Sequence, residues 1–270
     1  MASAKDIRVA PISCKNARAI VSKYHYSGKF DTRSKLHFGV FLNGRCGGAI
    51  QLGDPIDKRK ALVAVEGTGW NSLLDLHRFA FADWLPRNSE SRALGVMMRL
   101  IRQSYPYIEW VQSYADATQC GDGTIYRASG FELIGIKPNN SMYLMPDGKV
   151  VCKIVFEPGF SVRRSGVDNG VKSRYGKTGS ETSGAFLKRI GAKPLSGFQL
   201  RYIYFLNPAA RERLTVPILP FSRIAEMGAS MYRGERMRPK QATPGSTSEA
   251  AGQNRPGRSN NSAAGENEPA

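Results

Sequence analysis

The apolar positions of the chain change period along its length, and each period predicts an element. Ile7 to Ala10 reads as a short strand, after which Pro11 opens a helix whose Ile12, Ala19, Ile20 and Tyr24 recur at roughly helical spacing. That helix runs into KYHYSGK (23–29). Leu36 to Leu42 and Cys46 to Leu52 are β-rich runs on either side of Asn43-Gly44-Arg45, and Asn-Gly between such runs marks an antiparallel hairpin. A second long strand is expected over Trp70 to Phe81, where strict alternation sets Leu74, Leu76 and Arg78 on one face and Asp75, His77 and Phe79 on the other. After the loop ADWLPRN comes the clearest helix. Its Leu94, Met97, Met98, Ile101 and Tyr105 fall at i, i+3, i+4, i+7 and i+11, with Asn88 or Ser89 as its cap. Ile108 to Asp116 reads as a strand, TQCGDG as a turn-rich loop, TIYRAS as a short helix stopped by Gly130, and FELIGI as the start of another strand. The order β, α, β, β, β, α, β, α, β predicts a mixed α/β sheet without internal repeats.

The large apolar residues give out toward the end: residues 239–270 are mainly Ser, Gly, Pro, Asn, Ala and Glu, and are expected to be disordered. Charge changes the picture more. The 270 residues carry a formal net charge of +17, unevenly placed: residues 1–156 hold 21 basic against 13 acidic groups, residues 157–240 hold 16 against 6, and the remainder 2 against 3. So basic a stretch that also contains Tyr, Phe, Ile and Leu predicts a folded cationic surface, the footprint of a polyanionic partner. No amphipathic helix, lipidation signal or run of ~18 apolar residues points to a membrane, and MASAKDIRVA lacks the apolar core of a signal peptide. A cytoplasmic protein is expected. Cys14, Cys46, Cys120 and Cys152 form no C-x-x-C pair and have no His at zinc-ligand spacing, which argues against a zinc finger or a disulfide framework.

GTIYRASGFELIG (123–135) resembles the closing helix and strand of the GNAT superfamily, in which a short helix carrying a Tyr ends at Gly-Phe and leads into a strand. The implied fold is GNAT-like: a mixed, mostly antiparallel sheet with splayed central strands flanked by helices, here with a basic β-containing C-terminal extension. KYHYSGK (23–29), LHFGVF (36–41), LHRFAF (76–81), LPRNSESRA (85–93) and YADATQCGDGTIYRASGF (114–131) are more specific. With RYIYFLN (201–207) and TVPILPFSRI (215–224) they resemble the Mom family of phage DNA-modification proteins. That resemblance implies transfer of a methylcarbamoyl group to the exocyclic 6-amino group of adenine in duplex DNA, shielding the DNA from host restriction. It also implies a division into a GNAT-like catalytic core (1–160), a basic DNA-contacting extension (161–238) and the tail (239–270). The residues alone leave open whether 161–238 is a separate domain, although the β-rich FQLRYIYFL favours an extension of the core sheet.

A transferase acting on an aryl amine needs a group to take or relay a proton, and groups to hold the donor's carbonyl as charge develops on it. Five polar residues sit where such a fold converges. His25 and Tyr26 follow the first helix. Arg78 lies among apolar neighbours and needs an acidic partner, Asp116 being one, or a phosphate. Asp116 ends a central strand, where α/β folds keep ligand sites, or else caps the following loop. Tyr126 matches the Tyr that GNAT enzymes use near the leaving group, or packs as a core aromatic. His37 and His77, inside β-rich runs, read as structural. Cys120 lies close to Asp116 in sequence but has no clear base beside it. The family resemblance also permits His25 and Tyr26 as ligands to a redox metal such as iron, which their spacing does not show.

Ordinary GNAT enzymes offer an R/Q-x-x-G-x-G/A loop to the pyrophosphate of coenzyme A. The corresponding stretch here, Arg87-Asn88-Ser89-Glu90-Ser91-Arg92-Ala93, has no glycine and puts Glu90 in the first helical turn, where it repels a pyrophosphate. Arg87, Ser89, Ser91 and Arg92 are the residues left to bind a donor there. A methylcarbamoyl group, CH2-CO-NH2, has the same atoms as a glycyl group, CO-CH2-NH2, so glycyl transfer followed by rearrangement would give the product, and glycyl-tRNA stands beside acetyl-coenzyme A as a donor, with tRNA a second partner. A paired adenine must be flipped out of double-stranded DNA to be reached. The expected phosphate contacts are Lys29, Arg163, Arg164, Lys172, Arg174, Lys177, Lys188, Arg189, Lys193 and Arg201. Two competing readings are a conventional acyl-CoA N-acetyltransferase of a protein or small amine, and a non-catalytic DNA-binding adaptor.

Overall fold

The computed structural model describes residues 2–118, 121–157, 175–178 and 181–229, with backbone alone at 231–232 and 235–236. The first strand, β1 (Arg8–Pro11), pairs antiparallel with β2 (Ser34–Leu42) and includes the proline that was expected to open the helix. The helix starts later because Ser13 is the better cap: its Oγ accepts from Asn16 N at 3.2 Å, so α1 is Cys14–Tyr24. Asn43 and Gly44, at φ 50° and 79°, turn β2 into β3 (Arg45–Gly53). Both sit in the left-handed region that the twist of a two-residue hairpin demands.

A short helix, α2 (Lys58–Leu62), capped by Asp57, precedes β4 (Leu73–Phe81). Then come α3 (Ser89–Ser104), β5 (Trp110–Asp116), α4 (Thr124–Ala128) and β6 (Glu132–Pro138). Gly130, at φ 81°, lets the chain leave α4. A small sheet of β7 (Met142–Leu144), β8 (Val150–Cys152) and β9 (Lys193–Leu195) follows, with α5 (Ser183–Arg189). The chain then returns as β10 (Phe198–Phe205) and ends its described helices with α6 (Ser222–Glu226). The main sheet has the order β1-β2-β3-β4-β5-β10-β6, so β10 lies between β5 and β6. Every described pairing in it is antiparallel except β4 with β5. Among the described residues no helix is long and apolar enough to cross a membrane.

The stripe predicted for α3 is the main core: Leu94, Met97, Met98 and Ile101 are buried with Leu74, Leu76, Val111 and Leu200. Each such side chain contributes roughly 1.5–3 kcal/mol by leaving water. Ala17 and Val21 of α1 pack with Ala49, Ala80 and Phe30, while Ala61, Ala64 and Val65 pack with Leu73, Trp110 and Ile203. The small sheet has a core of its own, built on Met145, Val151, Val155, Phe156, Phe186 and Leu187.

Strand β4 departs from strict alternation at one point. Gln51 and Leu52 of β3 pair with Arg78 and Leu76, leaving His77 as an extra residue in a β-bulge. Beyond the bulge Phe79 and Phe81 join Leu74 and Leu76 in the α3 core, and Ala80 packs under α1. Arg78 therefore shares the face of Ala80, not that of Leu74 and Leu76 as alternation predicted. Gly53 makes room for the bulge: a Cβ there would stand 2.5 Å from Arg33 O and 2.8 Å from His77 Cε1. Because the first of these is backbone, Gly53→Ala is expected to destabilise the protein by about 1–3 kcal/mol, read as a lower midpoint in thermal unfolding.

Candidate functional site

The site forms where β4 and β5 part. Their ladder runs from Leu73↔Trp110 to Leu76↔Ser113 and stops, although the strands continue to Phe81 and Asp116. Two groups of polar side chains occupy this region.

The first is a buried layer in the last rungs of the ladder. Asp75 pairs in register with Gln112 and is hydrogen-bonded to its side chain. Gln112 Oε1 accepts from Arg201 Nη2 at 2.7 Å and Nε at 3.2 Å, and Arg201 also reaches Ala61 O at 3.4 Å. The Arg201 guanidinium lies 6.0 Å from the ring centre of Tyr114, whose phenol burial pushes up. Asp31 accepts three hydrogen bonds from Arg33, from its backbone N and Nε at 3.0 Å each and from Nη2 at 2.5 Å. Burial opposes ionisation of Asp31, but the Arg33 hydrogen bonds and the His77 and Arg33 charges hold it below the ordinary carboxylate range. Asp75 has the opposite fate: burial pushes it up to about 7, with Gln112, Arg33 and Arg201 pulling against burial and the Asp31 charge adding to it. Arg33 Nη1, Gln51 Oε1 and Ser113 Oγ are buried without a hydrogen-bond partner among the described residues. Two neighbouring carboxyls driven apart in this way divide acid and base roles between them.

The second group is the rim, built by the loop after α1. His25 Nδ1 is 2.8 Å from Ser27 Oγ, and the ring packs on Tyr26 at 4.3 Å between centres. Burial, aided by the Arg78 charge, lowers His25 to about 3, so the ring is neutral at physiological pH. Arg78 Nε donates to Lys29 O at 2.7 Å and Nη1 to His77 O at 2.6 Å. Its acidic neighbour is Asp31, at 3.9 Å, rather than the anticipated Asp116. His77, expected to be structural, is locked at both nitrogens by Ser34 Oγ and Asp54 O, each at 2.9 Å, and burial lowers it to about 4. Asp116 Oδ1 caps the turn by accepting from Thr118 N at 3.1 Å. Cys152 of the small sheet is close enough to feel the charges of both Asp116 and Lys29, and burial raises its thiol. Arg78 thus ties the Lys29 backbone to β4 beside His25, while the Asp116 and Lys29 charges both act on Cys152. Tyr126 belongs elsewhere, packing on Phe131 and Tyr202 at 5.3 and 5.2 Å against the α3 core.

Other anticipated contacts fare differently. Asn88 is the N-cap of α3 by position, but at φ 68° its side chain makes no capping bond. Ser89 is buried with Oγ unpartnered among the described residues, Ser91 Oγ donates to Asn88 O at 3.2 Å, and Arg87 and Arg92 are exposed. Among the expected phosphate contacts Arg201 is internal, as described. Lys177 Nζ donates to Glu181 O at 2.6 Å, and Arg189 is held by Glu181 at 2.7 and 3.0 Å. Lys188 and Lys193 are exposed. Arg163, Arg164, Lys172, Arg174 and Cys120 lie outside the described residues. Cys14, Cys46 and Cys152 are free thiols. Among the described residues no three His, Cys, Asp or Glu are grouped to hold a metal, and His25 Nδ1 is already engaged by Ser27. Iron at His25 and Tyr26 finds no support among these donors.

Sequence reasoning missed Asp75, Asp31 and Tyr114. For Asp75 a signal existed: a carboxylate inside LLDLHRFAF is costly unless it is neutral or paired. Asp31 and Tyr114 had none, since only the fold brings them beside Asp75.

A mixed sheet that opens between its one described parallel pair, over ionisable side chains, defines a GNAT-like α/β protein. The chain belongs to the Mom protein family, whose sequence profile matches residues 6–223. It is 36% identical over 218 residues to the methylcarbamoylase Mom of Escherichia phage Mu, covering 79% of this chain and 81% of that one. Among solved structures, it is similar to the ribosomal-protein-S18-alanine N-acetyltransferase of Escherichia coli, at 9% identity and a TM-score of 0.41 over 74% of this chain and 94% of that one. A second is FeeM, an N-acyl amino acid synthase from uncultured soil microbes, at 15% identity and a TM-score of 0.41 over 77% and 95%.

The Asp75 environment makes a test of pH. Because its folded value of about 7 exceeds the 3.8 of an ordinary Asp, the stability tied to its proton is complete below about 3.8 and is lost as pH rises through 7. Asp75→Asn, which keeps a neutral partner for Gln112, should therefore gain on the wild type in unfolding midpoint from pH 4 to pH 8. Parallel pH profiles for the two proteins would remove the assignment.

Proposed function

We propose that this protein is a DNA-modifying transferase that adds a methylcarbamoyl group to the exocyclic 6-amino group of adenine in phage DNA, protecting it from restriction in the host cytoplasm. The observation that carries this reading is the Mom family match across residues 6–223, with 36% identity to the methylcarbamoylase of phage Mu. The site chemistry supports it. Forming a new N6–carbon bond replaces one N–H, and the proton must pass to a base as the donor's leaving group departs. Asp116 ends β5 and Asp75 lies in the last rungs of its ladder with β4, and Asp75, at about 7, can hold or release a proton at physiological pH. Arg78 and Lys29 bring positive charge to the rim, where charge developing on a donor carbonyl is stabilised. Tyr26, 58% exposed beside His25, offers a ring on which an extruded base can stack.

The donor is glycyl-tRNA or acetyl-coenzyme A: glycyl transfer forms an N6–CO bond, frees the tRNA 3′-terminal hydroxyl and is followed by rearrangement of CO-CH2-NH2 to CH2-CO-NH2, whereas an acetyl group would need a separate nitrogen source and an oxidant for its methyl carbon. Glu90 in the first turn of α3 already satisfies the positive helix end and favours glycyl-tRNA over a pyrophosphate carrier.

Mass spectrometry of nucleosides from the DNA of cells expressing the protein tests the function. Methylcarbamoyl-adenine is expected with the wild type, reduced at least about a hundredfold by Asp116→Ala, in line with loss of a group acting in proton transfer. Isotope fed as glycine should reach the modified base. Absence of any adduct on adenine would remove the reading, and label arriving from acetate alone would remove the glycyl donor.

A further inference from the structure

Among the described residues, 12 Lys and Arg side chains are held in ion pairs, none of them on helix α1. Lys35 and Lys58 are paired with Asp54, Lys60 with Asp57, Lys149 with Asp147, Lys153 with Glu157, Arg189 with Glu181, Arg211 with Glu132 and Arg213 with Glu109. Helix α1 is different. Residues 7–30 contain Arg8, Lys15, Arg18, Lys23 and Lys29 and no Asp or Glu. Among the described residues no carboxylate lies within ion-pair distance of Lys15, Arg18 or Lys23; Arg18 instead lies over the Phe30 ring at 4.6 Å and Lys23 near the Tyr24 ring at 5.1 Å.

The three lie on the outer half of the helix. Ala17 and Val21 are fully buried, while Lys15, Arg18, Ser22 and Lys23 are exposed. At about 100° per residue, Lys15, Arg18 and Lys23 fall within an arc of roughly 140° centred opposite that buried side. From Lys15 to Lys23 the ridge is about 12 Å long, since a helix rises ~1.5 Å per residue. One DNA strand presents a phosphate every ~3.4 Å along the duplex axis, so the ridge is long enough to meet three or four. It also ends at the site: α1 closes at Tyr24, and the next residues are His25 and the exposed Tyr26 of the rim.

We propose that the outer face of α1, through Lys15, Arg18 and Lys23, is the surface that grips the phosphate backbone of duplex DNA and leads the strand to Tyr26 at the rim of the site. This rests on the functional reading above. It assigns the strand nearest the cleft to α1, whereas Arg201 serves the interior and Arg189 and Lys177 are engaged by Glu181. Contacts of this kind position DNA without reading its sequence.

The test uses the full-length protein with Lys15→Ala, Arg18→Ala and Lys23→Ala combined, and compares it with a Lys188→Ala, Lys193→Ala variant. Binding to a fluorescent 30-base-pair duplex is followed by anisotropy from 50 to 200 mM salt, and adenine modification is measured in cells. The triple variant, with an unchanged unfolding midpoint, should bind at least tenfold more weakly at low salt. Its plot of log affinity against log salt should flatten by about 0.9 for each phosphate that is no longer neutralised, close to three in all. Modification in cells should fall with it, and the Lys188, Lys193 variant should lose less on every measure. Wild-type affinity and salt slope in the triple variant would overturn the assignment while leaving the functional reading standing. Loss of tRNA binding with duplex binding intact would overturn it in favour of the donor. A wild type that modifies no adenine would remove the functional reading instead.

Discussion

Everything at the site depends on a ladder of four parallel rungs that then lets go. Leu73 to Leu76 are held against Trp110 to Ser113, and beyond them the two strands no longer pair with each other. Strand edges that part inside a sheet must satisfy their backbone groups or open them to a ligand. Here the bulge at His77 turns Arg78 toward the α1 side, and Arg78 takes up the carbonyls of Lys29 and His77. The loop after α1 is thereby tied to the opened strand, and the same guanidinium helps to keep His25 neutral. The bulge accounts for the turn of Arg78 toward the rim and lies where Gly53 leaves room beside His77, while burial, aided by the Arg78 charge, keeps the imidazole neutral.

The polar layer beneath that opening is organised by the competition between burial and charge. Asp31 and Asp75 are both buried carboxyls, and the Asp31 charge raises the cost of ionising Asp75. Arg33 settles the matter by binding Asp31 at two oxygens, leaving Asp75 to a neutral amide. A carboxyl that accepts or loses a proton near pH 7 is what group transfer to an amine requires, and it arises here from packing rather than from an unusual residue.

Much of this architecture was legible in the sequence because local rules govern it. The apolar stripe of Leu94, Met97, Met98 and Ile101, the Asn43-Gly44 turn and the stop at Gly130 each depend on residues a few positions apart. Three things were not legible, for one reason. The bulge at His77, the partnership of Arg78 with Asp31 and the internal use of Arg201 all depend on which strand lies beside which. Arg201 looked like a surface cation because it follows a long basic stretch, yet β10 carries it between β5 and β6, where Gln112 binds it. His25 and Asp116, by contrast, were singled out by their places after the first helix and at a strand end, and the structure has the ring engaged with Ser27 and the carboxylate capping its turn through Thr118 N.

The chain leaves the main sheet at Pro138 and re-enters it at Phe198, and these two residues are register partners, with Asn139 N donating to Gly197 O at 2.8 Å. The intervening stretch, which has its own core on Met145, Phe156 and Phe186, hangs from two adjoining points of attachment. Its length matters little to the sheet, since each doubling of a closed loop adds only about 0.6 kcal/mol. In architectural terms it is a cartridge: a tight hairpin could bridge the same two strands, and a different lobe could be fitted there without redrawing the sheet. Because the Asp116 charge reaches Cys152 of that lobe, such an exchange would alter the surroundings of the end of β5 while the ladder beneath stayed the same.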